Sequence, residues 1–475
     1  MQTYGLYLNG HFERTGSSIT VINPANEAEI AHVSTVEREK VLLAIDDAHR
    51  AFLQWRVLTA RERGDYLLNV AGEMQNRREE IARVMTMEAG KIYPSSLAEV
   101  DGSIDHLRWF AEEGRRAYGR IIPHQTPGKR HLVVKTPVGV VGAIAPWNFP
   151  LILAVRKAAP ALAAGCTVIL KPASQTPLVS VLLAECMDAA GIPPGVFQMV
   201  LGDSSMIGAA LLGHPLCRKV TFTGSTEVGK ILIKGAADQV KPLSLELGGH
   251  APALVFDDCA LDETVQNVID AKFRNTGQSC IAANRLYVQE GIYETFMEKF
   301  LEAVKHQKVG NGLDEGITVG ALIDEKALQH ALAQINDATQ KGAKVLLGGK
   351  RHGKTGYFLD PTILANVPPD ATCLREESFA PLLAVMKFKE EAEAIELAND
   401  TRYGLSAYAF TRDIHRIIRL SEQLEAGTIA INDGVPSTSN APFGGVKQSG
   451  WGRELGSEGL EEFLEIKHVS IGGNA

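Results

Sequence analysis

From Val138 onward, apolar runs of strand length alternate with helical stretches, and this alternation restricts the possible folds more than any other feature of the chain. The runs VGVVGAIA, CTVILKP, VFQMVLG and KVTFTG carry almost no polar face and are separated by helical segments bordered by Gly or Pro. Strands apolar on both sides belong in a parallel sheet covered by helices, so an α/β fold is expected. A second alternation begins near Ala251, with APALVF, NRLYVQ, AKVLLGG, LLAVMKF and AYAFT. Two α/β units within one chain of 475 residues are the economical reading. Ahead of them, apolar residues recur at helical spacing between Val41 and Glu88, which predicts two amphipathic helices. The segments RHLVVKT (130–136) and FLEIKHVSIG (463–472) read as isolated strands that complete a neighbour's sheet. There is no repeat and no low-complexity linker, so the domains are expected to interleave.

Composition removes several function classes. A hydrophobic share of 45% excludes global disorder, and a net charge of -8 lacks the positive field that phosphate backbones require. Nucleic acid is therefore not an expected partner. The longest uncharged stretch, Thr136 to Val155, is broken by Pro137, Pro146, Asn148 and Pro150, so it reads as buried core and not as a membrane span. The first residues lack a basic region and an apolar run, so secretion is not expected. Six cysteines (166, 186, 217, 259, 280 and 373) form no C-x-x-C pair and do not alternate with His. This pattern predicts free thiols in a reducing cytoplasm and no bound metal.

Four local patterns could carry chemistry. Cys280 follows the polar turn FRNTGQS and is read as opening a helical stretch, where backbone N–H dipoles would favour a thiolate nucleophile. A buried small hydrophobe remains the other reading of any single cysteine. Glu246, in SLELGGH, follows an apolar strand and precedes two glycines; semi-burial would raise its pKa and suit it to general base work, although such a residue also serves as a cap. Asn148 sits between the prolines of PWNFP, where a rigid amide could donate to an oxyanion or simply hold a turn. FTGSTEVG (222–229) reads as strand, glycine turn and helix start, the arrangement that points N–H groups at a phosphate. It is neither a P-loop nor a G-x-G-x-x-G fingerprint.

Taken in order, PWNFP (146–150), LKPASQTP (170–177), FTGSTEVG (222–229), LELGGHAP (245–252), GQSC (277–280), EESFAP (376–381) and PFGGVKQSG (442–450) resemble the aldehyde dehydrogenase superfamily across almost the entire chain. KFRNTGQ, ANRLYVQ and IDEKA are similar to its succinate-semialdehyde branch. The resemblance implies two Rossmann-like α/β domains with a small β oligomerisation element: a cofactor domain from 1–122 and 141–247, a catalytic domain from 248–446, and the oligomerisation element from 123–140 and 447–475. It implies that Cys280 attacks an aldehyde, that Asn148 and the Cys280 N–H hold the oxyanion, and that a nicotinamide accepts hydride. Glu246 would then activate the water that hydrolyses the thioester. Cofactor contacts fall on Trp147, Lys171, Ser174, Gly224, Ser225, Glu377 and Phe379. Ser174 stands where NAD-preferring relatives commonly carry Glu, so NADP is the expected cofactor and NAD a tolerated one. Arg156 and Arg274, with Ser437, match positions that bind a distal carboxylate.

Three departures from the family pattern stand out. Ala380 replaces a Gly where cofactor loops pack, Ile281-Ala282 removes a second cysteine and any disulfide switch with it, and the loop VPSTSNA differs around Ser437. Glutarate semialdehyde, lactaldehyde or a broad range of aldehydes therefore stay open beside succinate semialdehyde. A coenzyme-A-acylating enzyme, a cofactor-independent thiol esterase and a catalytically silent relative are the competing classes. Glu246 disfavours the first, and the Lys171 and Gly224 motifs disfavour the second. A homodimer or homotetramer is expected from the two isolated strands.

Overall fold

A computed structural model describes residues 2–473 of the chain. Five short strands come first: β1 (Thr3–Tyr4), β2 (Leu6–Leu8), β3 (His11–Glu13), β4 (Ser18–Ile22) and β5 (Glu29–Ser34), arranged as a three-stranded sheet and a hairpin. Four helices follow, α1 (Arg38–Trp55), α2 (Ala60–Asn76), α3 (Arg78–Ala89) and α4 (Tyr93–Glu113). The expectation of two helices before Glu88 is thus corrected to three. The second apolar run breaks at Arg77, whose φ of -107° and ψ of 15° leave the helical region. Arg77 is held there by Glu80 and by Glu185 at 2.7 Å, the latter a tertiary contact that periodicity does not register.

After β6 (Arg120–Ile122) and β7 (Lys129–Pro137), the chain builds its first large sheet. Strands β8 (Val140–Ile144), β9 (Thr167–Lys171), β10 (Phe197–Met199), β11 (Cys217–Thr223) and β12 (Leu243–Glu246) pair in parallel in the order β10-β9-β8-β11-β12. Between them run α5 (Ile152–Ala164), α6 (Leu178–Ala189), α7 (Ser204–Gly213) and α8 (Thr226–Ala236). Every residue of β8, β9 and β10 is buried, which is why these segments read as unbroken apolar runs.

The second sheet has seven strands: β13 (Ala251–Val255), β14 (Ala283–Gln289), β15 (Lys344–Leu347), β16 (Thr362–Ala365), β17 (Leu382–Phe388), β18 (Ser406–Phe410) and β19 (Thr428–Ile431). Only β15 runs antiparallel to its neighbour. Helix α9 (Leu261–Phe273) links β13 to the turn that precedes β14. The chain then returns to the first sheet, where β20 (Gly450–Trp451) pairs antiparallel to β12.

The final strand, β21 (Leu464–Gly472), corrects another expectation. It pairs antiparallel with β7 along its full length, from Leu464 opposite Pro137 to Gly472 opposite Lys129, and β6 covers the other edge of β7. The two segments that look isolated in the sequence are each other's partner. Sequence separation hides the pairing, because strand signals are local and their ladder is not.

Candidate active site

The chemistry-bearing segments meet where parallel strands end. PWNFP follows β8, Lys171 closes β9, Gly224 follows β11 and Glu246 closes β12. The C-terminal edge of a parallel sheet is where ligand crevices form, since loops there diverge and helix N-termini point inward. Ser225 caps α8, its hydroxyl accepting the Val228 N–H at 3.3 Å, so the FTGSTEVG segment is a strand, a glycine turn and a helix start as expected. From the second sheet, the turn before β14 brings Cys280, and the segment before β17 brings Glu377 and Phe379.

Cys280 does not open a helix; it lies in a turn that leads directly into β14. No helix dipole lowers its pKa. Burial instead pushes the thiol up to about 12, and the carboxylates of Glu377 and Glu246 add to the shift. The turn is over-determined. Asn275, Thr276 and Gly277 are all left-handed, with φ of 52°, 59° and 72°. Asn275 Nδ2 donates to the carbonyls of Asn148 (2.8 Å) and Gln278 (3.0 Å), and Gln278 itself bridges to Ile323 N–H at 2.9 Å. A side chain at Gly277 would strike the Ala380 carbonyl, and one at Gly249 would strike the carbonyl of Cys280. These contacts hold the sulfur with little freedom to shift.

Two cavities converge on that sulfur, and among the described residues Cys280 alone lines both. The larger, about 470 Å³, is walled by one face of α4, by Phe149 and Phe443, and by Arg156, Arg274 and Ser437. The smaller, 190 Å³, is lined by Trp147, Asn148, Gly224, Ser225, Glu377 and Phe379. Trp147 and Phe379 meet edge to face at 5.4 Å and 83°, which leaves one aromatic face on the slot. Phe379 reaches it through a positive φ of 47°, while Ala380 turns away into apolar core. The extra methyl of Ala380 therefore does not enter the slot.

Asn148 is 5% exposed, and its Nδ2 donates to the Gln278 carbonyl at 3.1 Å. One amide proton is thereby committed and the other remains for a ligand beside Cys280. Glu246 is 4% exposed and lines neither cavity. Its carboxyl lies against Gly444, one oxygen has no partner, and burial together with the charge of Glu454 raises its pKa well above the ordinary range. Lys157, paired with Glu454 and Thr223, stands behind it. Lys171 and half-buried Ser174 lie beyond the slot at the end of β9. Lys171 Nζ donates to the Pro172 carbonyl at 3.2 Å, and burial lowers its pKa to about 8. Glu377 accepts the Gly249 N–H at 3.1 Å and is raised by burial to about 8.

Residues 11–469 match the aldehyde dehydrogenase family. The chain belongs to that family. As an aldehyde dehydrogenase it is 48% identical, over 98% of its length and 97% of the relative's, to the NADP(+) succinate-semialdehyde dehydrogenase of Escherichia coli K12. It is 47% identical to the glutarate-semialdehyde dehydrogenase of Pseudomonas aeruginosa, over 96% of this chain and 95% of that one. Among solved structures it superposes on an NADP-dependent enzyme of E. coli with a TM-score of 0.97 at 47% identity, covering 98% of each chain.

In this aldehyde dehydrogenase the two sequence-selected arginines share one cavity. Arg156, on α5, is buried over the Phe443 ring at 5.0 Å, reaches Ser437 Oγ at 3.3 Å and lies 3.8 Å from Glu454. Arg274, at the end of α9, packs over Phe149 at 5.8 Å and exposes its guanidinium to the cavity. Sequence reading missed Asn275 as the clamp on the PWNFP turn and Gly249 as the seat of the Cys280 carbonyl. It also missed Glu99, whose carboxylate accepts the N–H groups of Leu151 (3.0 Å) and Ile152 (3.2 Å) and pairs with buried Lys91. A glutamate capping the start of another helix leaves no local signature.

Proposed function

We propose that this chain oxidises succinate semialdehyde to succinate with NADP, or with NAD in its place. One observation carries the reading: Cys280 stands at the junction of a cavity holding two guanidinium groups and a slot bounded by Trp147, Phe379 and the α8 N-terminus. The E. coli relative named for this substrate and cofactor supports it. The 470 Å³ cavity also has room for a longer acid, so glutarate semialdehyde is the second reading, supported by the P. aeruginosa relative.

Arg156, Arg274 and Ser437 take the distal carboxylate and aim the aldehyde at Cys280. The sulfur attacks the carbonyl carbon, and the free proton of Asn148 Nδ2 with the Cys280 N–H neutralises the oxygen as charge develops on it. A thiol held near 12 must lose its proton to a base as it attacks, and Glu246 has the raised basicity for that role. Its carboxyl must first rotate from Gly444 toward the sulfur; once it has released the thiol proton to solvent, it can deprotonate the water that hydrolyses the acyl adduct, with Cys280 leaving as thiolate. The donor set of the slot and of the strand end beyond it fits a dinucleotide: Lys171 and Ser174, outside the slot, would take the ribose end, Gly224 and Ser225 at a helix N-terminus the pyrophosphate, and Glu377, Trp147 and Phe379 a flat ring. When bound, NADP or NAD supplies the electron-pair acceptor for the oxidation. Ser174 places no carboxylate against a 2′-phosphate, which supports NADP.

The first sheet is assigned to the cofactor domain and the second to the catalytic domain. The β6-β7-β21 sheet, with Ile466 and Ile471 exposed along its last strand, is assigned to association into a dimer or tetramer. No helix among the described residues is long and apolar enough to cross a membrane, and the cysteines are free, which suits a cytoplasmic enzyme. The test is a panel of initial rates, followed as NADPH or NADH formation, for succinate and glutarate semialdehydes and propanal. Arg156→Ala and Arg274→Ala should each raise KM for the acids by about tenfold or more and leave propanal nearly untouched. Equal losses on both kinds of aldehyde would remove the carboxylate clamp; no aldehyde-dependent reduction of either cofactor would return the thiol esterase.

A further inference from the structure

The walls of the 470 Å³ cavity are not chemically alike. Arg156, Arg274 and Ser437 present donors, which is what a carboxylate needs. The facing wall is a stripe of α4, with Ser95, Glu99, Gly102 and His106 at helical spacing and Asp105 exposed beside them. That wall is rich in acceptors. Glu99 is already filled by Lys91 and the Leu151 and Ile152 N–H groups, but His106 is not. It is 4% exposed, it borders the cavity, and its Nδ1 has no hydrogen-bond partner. Arg156, on the neighbouring helix α5, leaves its buried Nε equally without a partner.

Burial and the Arg156 charge hold the His106 ring neutral, so it offers one donor and one acceptor. A half-turn of the ring exchanges Nδ1 with Cδ2 within nearly the same volume, and the cavity that His106 lines is where a partner would come from. A plain semialdehyde acid brings acceptors only. It can satisfy the arginine wall and leaves the α4 wall unanswered. A hydroxyl brings both polarities: it can accept from Arg156 and exchange a hydrogen bond with the imidazole.

We propose that His106 is a specificity-determining residue that fits the cavity to semialdehyde acids hydroxylated on the carbon next to the carboxylate. This rests on the semialdehyde-acid reading above. The test compares kcat/KM for succinate semialdehyde with that for its analogue hydroxylated at that carbon, using the full-length enzyme with NADP, and propanal as a measure of intact folding and chemistry. The unaltered enzyme should use the hydroxylated acid at least as well as the plain one. His106→Phe, which keeps a flat ring and removes the nitrogens, should lower the hydroxylated-to-plain ratio about tenfold. His106→Gln, which restores a donor and an acceptor, should recover much of it. A ratio within about twofold of the starting value in His106→Phe overturns the assignment, as does rejection of the hydroxylated acid by the unaltered enzyme. The first of these is also the outcome expected if a resident water serves the imidazole. If propanal is oxidised and neither acid is, the semialdehyde reading itself fails, and that result is distinct from a failure at His106 alone.

Discussion

Gly249→Ala should disable the enzyme while leaving it folded. A methyl at this position would stand 3.2 Å from the Cys280 carbonyl carbon and overlap its oxygen, both backbone atoms that no rotamer can move. The oxygen lies 2.0 Å from that methyl, so clearing it to an ordinary contact requires the Cys280 backbone to retreat by about 1.4 Å. A displacement of that size at a reacting centre costs on the order of 100-fold in rate, whereas overpacking one methyl costs only about 1–3 kcal/mol of stability. The same substitution disturbs the Gly249 N–H that donates to Glu377 at 3.1 Å, so the two sides of the slot shift together. Gly248→Ala is the internal control. Its methyl meets Glu377 Oε2 at 3.0 Å and Tyr403 Cε1 at 3.3 Å, both at the far ends of side chains that can give way. Steady-state rates with succinate semialdehyde and NADP, alongside thermal melting, should show kcat/KM down about 100-fold in Gly249→Ala, with a cooperative melt retained, and a much smaller loss in Gly248→Ala. Gly249→Ala within threefold of the parent, or both variants equally impaired, would refute the reasoning.

Glu246→Gln keeps shape and removes the base from both thiol attack and hydrolysis, so the first turnover and the steady-state rate should each fall about 100-fold; rapid-quench and multiple-turnover measurements check it, and an acyl-enzyme burst at the parent rate would remove Glu246 from the attack step. Because the thiol is held near 12, alkylation of Cys280 by iodoacetamide in the cofactor-free protein should be slower than for an ordinary cysteine and should keep rising with pH through the alkaline range, without levelling near 9. A plateau at that ordinary value would contradict the burial assigned to the sulfur. Ser174→Glu should lower kcat/KM for NADP by about tenfold or more and spare NAD, since the new carboxylate would face the 2′-phosphate beside Lys171; parallel kinetics with both cofactors decide it.

Cys280, Glu246, Asn148 and the arginines could be picked out of the sequence because their motifs are short and ordered, yet each local reading was incomplete. Cys280 looked like the start of a helix because NTGQS is polar and turn-forming; the structure runs it into β14, and the left-handed turn behind it depends on the Asn275 bridge to a loop more than a hundred residues earlier. The LELGG motif puts Glu246 beside the chemistry, but its carboxyl faces Gly444 and the Lys157–Glu454 pair, groups that lie far away along the chain. His106 and Glu99 carried no local signal, since a polar residue on an amphipathic helix normally faces water.

The sequence by itself determined that the cores of both large sheets are parallel and helix-covered, because runs apolar on both faces can be buried in few other ways. It also determined which turns follow which strands, since glycine, proline and capping residues act on their nearest neighbours. Tertiary structure alone decided that β7 and β21 pair, that two cavities meet at one sulfur, and that burial, not a helix dipole, governs its proton. Each of those outcomes depends on distances between segments remote in the chain, and both desolvation and cross-strand pairing exist only once such segments have come together.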